Sequence, residues 1–121
     1  MHSSARQREH PRVTPAPGTR IEVHIMGTGF LEVLHARDIS VAGIGVFVAH
    51  DFAGCATDDP VELVVKLGHE KPFSARGVIV HMSKSAGDHF FGLKFTQIGD
   101  DHLEKIRLYV ERRLGQGGAA G

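Results

Sequence analysis

The chain has no tryptophan, one tyrosine and one cysteine. A lone Cys55 excludes an internal disulfide framework, and a single thiol fits a reducing cytoplasm. Exposed aromatics for stacking on single-stranded nucleic acid are scarce. Tyr109 falls in a helical stretch, and most phenylalanines fall on alternating positions that read as core. Neither charge is in excess, with Lys plus Arg at 14 and Asp plus Glu at 14. That balance argues against a protein-wide DNA- or membrane-binding surface. The longest run of only apolar residues and glycine extends from Val41 to Ala49, far short of the ~20 residues that span a bilayer. The N-terminus lacks the apolar segment of a secretory signal. The expectation is a cytoplasmic protein that does not insert in a membrane.

Catalytic signatures are missing too. There is no Gly-x-Ser-x-Gly elbow and no Walker-type glycine loop. Cys55 has no cationic neighbour close in sequence to lower its pKa. The nine histidines fall at 2, 10, 24, 35, 50, 69, 81, 89 and 102. No two share the i, i+2 or i, i+4 spacing that aims both rings at one metal from one element. The adjacent Asp58 and Asp59 precede Pro60, which is turn chemistry. No enzyme, metal or cofactor is expected.

What is present is one domain's worth of chain, 121 residues with 41% apolar content. It divides into three parts. Residues 1–18 form a polar arm with Pro11, Pro15 and Pro17, and Arg6, Arg8 and Arg12 outweigh Glu9 there. Proline resists both helix and central strand, so the arm is expected to be flexible or extended. Residues 19–115 carry the fold, and 116–121 read as a disordered, glycine-rich tail.

Within the fold the pattern has period two. Ile21, Val23 and Ile25 alternate with Glu22 and His24. Strands are expected from Phe30 to His35, around Phe47, from Val61 to Leu67, from Phe73 to His81 and across Phe91, Leu93 and Phe95. Turn clusters lie at Gly68 to Pro72 and Ser83 to Asp88. Short strands with glycine turns argue an antiparallel sandwich or barrel, hence an all-β class. One segment switches period. Leu103, Ile106, Val110 and Leu114 recur at helical spacing, with a capping-box-like start at Asp101 and Glu104, a stop at Gly115 and cations at Arg112 and Arg113. This single amphipathic helix must bury its stripe on the barrel.

Two clusters carry chemistry. Arg8 and Arg12, in "REHPR", are spaced Arg-x-x-x-Arg. Pro11 opposes a helix, and in an extended arm two planar guanidiniums can converge on one compact anion or stack on a base. A solvated basic tail would look the same. Asp38, Ser40 and Gly43, in "RDISVAGIG", are spaced Asp-x-Ser-x-x-Gly. These residues suit a turn, with Gly43 supplying positive φ. Facing outward, the carboxylate accepts from the N1 and N2 donors of guanine, and the hydroxyl serves a base or a phosphate.

Together, an Arg-x-x-x-Arg arm and, about 25 residues later, Asp-x-Ser-x-x-Gly entering a strand resemble the PilZ domain family. "GLKF", Gly92 to Phe95, resembles its closing strand. The resemblance runs from about Arg6 to Leu114. It implies a six-stranded antiparallel barrel of the split-barrel type with a C-terminal helix, binding the bacterial messenger cyclic di-GMP. By that likeness Arg8 and Arg12 would hold phosphates and guanine edges. Asp38, Ser40 and Gly43 would meet the ligand from the barrel, with Gly92 close by. Gln7 stands where many members carry another arginine or a large apolar residue. It leaves open whether one messenger or a stacked pair is bound, and Arg6 would supply a further contact. The implied role is a receptor that changes its surface for a downstream protein, with no nucleic-acid partner. The alternative is a PilZ-like adapter that makes protein contacts without nucleotide.

Overall fold

The computed structural model describes residues 10–27, 29–48, 56–85 and 88–120. Arg6, Gln7, Arg8 and Cys55 lie outside them. Among the described residues six strands, β1 (Ile21–Gly27), β2 (Phe30–Ile39), β3 (Gly43–Val48), β4 (Pro60–Leu67), β5 (Phe73–Ser85) and β6 (Asp88–Ile98), precede one helix, α1 (Asp100–Gly115). The strands close a barrel in the order β1-β2-β3-β6-β5-β4, each pair antiparallel.

Period-two alternation builds the interior. Ile21, Val23 and Ile25 of β1, Leu63 and Val65 of β4, and Ile44 and Val46 of β3 are all 0–1% exposed. Ile106 and Val110 of α1 join the same cluster, so the helix packs its apolar stripe on the barrel. The stripe differs from the expected one at its end. Leu114 is exposed, and Arg113 is buried beside the arm.

Several local expectations shift. β2 continues past His35 to Ile39, because a bulge between Ala36 and Asp38 keeps it in register with β3. Ser83 to Ser85 belong to β5 and Asp88 to β6, since ladder bonds come from backbone whatever the side chains. The helix has Gly99 at its N-cap with no side-chain cap; Glu104 bonds Arg107 instead of closing a capping box. Termination falls to Gly117, in the left-handed region at φ +79°, while the Gly118 N–H donates to Arg113 O at 2.7 Å. The turn at Asp58 and Asp59 is present, with Asp59 Oδ2 accepting from the Ala56 N–H at 2.7 Å.

The segment expected as a disordered tail is hydrogen-bonded to the arm. The Thr14 N–H donates to Gly118 O at 2.8 Å, and the Ala120 N–H donates to Arg12 O at 2.9 Å. Val13 bridges Ala119 on one side and Ile39 of β2 on the other. Residues 12–14 thus pair between the end of β2 and the tail. Glycines bond here through their backbone, so no side-chain pattern announces the pairing. Among the described residues no helix is long and apolar enough to cross a membrane.

Candidate nucleotide-binding site

The site is assembled by one backbone bridge. Val13 and Ile39 exchange both hydrogen bonds, N–H to O, at 2.9 Å in each direction. Both side chains are 0% exposed, so this pair points into the core. Antiparallel register then sets Arg12 opposite Ser40 and diagonal to Asp38, all three on the other face. A diagonal neighbour is within reach of a long side chain. Arg12 Nη1 donates to Asp38 Oδ1 at 2.7 Å, although the residues are 26 positions apart.

Asp38 is 4% exposed and is held from both sides. Its second oxygen, Oδ2, accepts from Arg37 Nε at 3.1 Å. The Arg37 guanidinium lies 4.2 Å above the centre of the Phe90 ring, a cation–π contact that anchors it. A buried carboxylate is costly unless paired, and two arginines pair this one. Arg12 keeps 41% of its side chain exposed. One of its five N–H donors is on Asp38, and among the described residues the others have no partner, which lets them serve an anion.

The three motif residues on the barrel do different jobs. Asp38 lies in the strand and makes no turn contact. Ser40 makes the turn, its Oγ accepting from the Ala42 N–H at 3.1 Å and its N–H donating to Gly43 O at 2.9 Å. Gly43 does not have positive φ, contrary to expectation. Its constraint is closeness, because a Cβ there would strike Leu93 O of β6. A cavity of about 650 Å³ opens beside them, lined by His10, Pro11, Arg12, Ser40, Ala42 and the tail residues Ala119 and Ala120. Arg12 and Ser40 therefore share a pocket wall. Arg6, Gln7 and Arg8 lie outside the described residues.

Three contributors escape a reading of the sequence. Gly45 pairs with Asp38 across β2–β3, and a Cβ on it would lie 2.8 Å from Asp38 Oδ1. Gly45 therefore makes room for the carboxylate. Gly92 pairs with Gly45 on one side and His81 on the other, and the His81 ring leans over the space a Gly92 side chain would fill. Asp38, Gly45, Gly92 and His81 form one row across four strands, with two side chains leaning in over two glycines. Register across a bulge cannot be counted from a single sequence. Val13 is the third, an isolated apolar residue in a proline-rich arm.

Among the described residues no three or more His, Cys, Asp or Glu side chains form a group that could hold a metal ion. A family model described as the PilZ domain matches residues 6–112. The chain belongs to the PilZ domain family. Solved PilZ proteins share the barrel at low identity. The PilZ domain of YcgR from Escherichia coli, solved with c-di-GMP, is 10% identical, with a TM-score of 0.75 over 92% of this chain and 94% of that one. The inhibitor of motility MotI/DgrA from Bacillus subtilis is 18% identical, with a TM-score of 0.76 over 89% of this chain and 52% of that one. The K. pneumonia MrkH–c-di-GMP complex is 14% identical, with a TM-score of 0.78 over 91% and 53%. The chain thus spans about half the length of MotI and MrkH. No curated relative matches it. MrkH is described as a c-di-GMP-dependent transcription regulatory factor, so membership of the family does not by itself exclude a nucleic-acid role.

Proposed function

We propose that this PilZ domain is a cyclic di-GMP receptor that signals to a protein partner and catalyses no reaction. The observation that carries the reading is the bond from Arg12, which lines a pocket beside Ser40, to the buried Asp38. Two motifs far apart in sequence supply one cationic and one anionic group to the same surface. PilZ relatives solved with the ligand support the choice of nucleotide.

The chemistry follows from the donors and acceptors. Cyclic di-GMP brings two phosphates, and arginine binds phosphate with two parallel N–H bonds. Arg12 turns its unused donors to the ligand, and Arg8 joins it from the arm. Asp38 Oδ1 accepts from guanine N1–H and N2–H. Arg37 keeps Oδ2, so the carboxylate stays oriented when Arg12 shifts. The His81 ring offers a flat face for base stacking across Gly92. Ser40 holds the turn and meets the phosphate from the pocket wall, and Gly43 brings the backbone close to β6. Val13 stays in the core, so the arm pivots just before it.

The energies are adequate. Charge-assisted bonds contribute about 1.5–3 kcal/mol each. Ordering a segment on binding costs about 2–5 kcal/mol. Five or six such bonds leave enough for micromolar affinity, about −8 kcal/mol.

The test is a selectivity titration with cyclic di-GMP, the linear dinucleotide and GTP, followed by amide hydrogen exchange. Cyclic di-GMP is expected to bind at least tenfold more tightly than either control and to slow exchange in residues 7–12. Absence of cyclic di-GMP binding at about 100 μM protein would leave the nucleotide-free adapter as the function.

A further inference from the structure

A second concave surface shares no lining residue with the nucleotide pocket. Positions 105, 108, 109 and 112 follow i, i+3, i+4 and i+7, so Lys105, Leu108, Tyr109 and Arg112 share one stripe of α1, with the C-cap residue Gln116 beyond its end. That stripe faces the turn between β4 and β5, where Gly68, His69, Glu70 and Lys71 form the opposite wall. Ala16 and Thr19 of the arm close one end, and the cavity measures about 590 Å³.

The groove has a one-sided charge. Lys71, Lys105, Arg112 and the buried Arg113 line it against a single acid, Glu70. Among the described residues none of Lys71, Lys105 and Arg112 is in an ion pair. Of the four helix acids, Glu104 and Glu111 both bond Arg107, and Asp100 and Asp101 sit in the first turn; none of the four lines the groove. The lining is also partly apolar. Leu67 contributes from β4, and Leu108 is 46% exposed although it lies mid-helix. The walls are firmly built. Arg113 Nε donates to Thr14 O at 2.8 Å, and the Ala16 N–H donates to Tyr109 Oη at 3.1 Å.

We propose that this groove is a docking site for an acidic segment of a partner protein, anchored by a large apolar side chain on Leu108. Complementary charge steers such a segment in, and the apolar contact holds it. A nucleic acid fits less well. It calls for an extended basic track or exposed aromatic platforms, whereas this groove is short and partly apolar, carries Glu70, and engages its one tyrosine hydroxyl with the arm. The proposal stands whether or not the other site binds cyclic di-GMP.

A random 12-residue peptide display library selected on the protein tests it, with counter-selection on the Lys105→Glu/Arg112→Glu double variant. Both substitutions are at helix-surface positions and bring in a good helix former; circular dichroism checks the fold. Selected peptides are expected to be rich in Asp and Glu around a Leu, Phe or Met. They should lose at least tenfold in affinity for the double variant and at least threefold for Leu108→Ser. They should also weaken between 50 and 300 mM salt and shift amide resonances of 67–71 and 105–116. Cyclic di-GMP affinity of the double variant should match the wild type, so a failure here is distinguishable from a failure of the receptor reading. Absence of peptides that discriminate wild type from double variant overturns the proposal. So does selection of basic sequences, or a 20-nucleotide single strand that binds more tightly than any peptide and is lost in the double variant.

Discussion

Arg12 and Asp38 meet at 2.7 Å because their neighbours Val13 and Ile39 are hydrogen-bonded in the barrel wall. A core contact and a surface ion pair are therefore one local structure. Asp38→Ala removes the anion that Arg12 and Arg37 share and leaves two cations facing each other. Cyclic di-GMP affinity should fall at least tenfold by calorimetry. Stability should fall by about 1–3 kcal/mol in urea denaturation.

Gly43 and Gly45 are separable by one methyl group each. Gly43→Ala drives Cβ into Leu93 O, a backbone atom that cannot step aside. It should destabilise the barrel by about 1–3 kcal/mol or more. Gly45→Ala instead pushes on Asp38 Oδ1, a side-chain atom. Its melting temperature should stay near the wild type while ligand affinity drops at least fivefold. Equal affinity in Gly45→Ala and wild type would detach Asp38 from the ligand.

Val13→Ala should loosen the arm from within. The side chain is fully buried, so truncation costs on the order of 2 kcal/mol. Amide exchange at Val13 and Ile39, slow in the wild type, should accelerate together, because each N–H is bonded to the other residue's carbonyl.

Arg113→Ala removes the donors to Thr14 O and Gln116 Oε1 from a buried position. It should cost about 1–3 kcal/mol and speed amide exchange at Thr14 and Gly118. Ligand affinity should change less than in Asp38→Ala, since Arg113 touches the arm beyond Val13 and not the pocket.

The strands and the helix were legible because their apolar residues repeat at two fixed periods. Ile21, Val23 and Ile25, or Ile106 and Val110, can be placed by counting. That Arg12 belongs with Asp38 follows from family likeness, since neither cluster alone separates a ligand site from a solvated tail or a turn; Arg8 lies outside the described residues. What escaped depends on distance in space. Gly45 matters only because a bulge sets it beside Asp38, and His81 only because Gly92 lies next to it. Val13 stands alone among prolines, with no period around it to mark it as core. Gly118 to Ala120 pair through backbone alone, so their composition reads as disorder.

The most direct measurement of the central claim is a calorimetric titration of cyclic di-GMP into the wild type, Arg8→Ala and Arg12→Ala, at one salt concentration. Micromolar or tighter binding by the wild type is predicted, with at least a tenfold loss in each variant. Wild-type affinity in both variants, or no binding by the wild type, would contradict a site shared between arm and barrel.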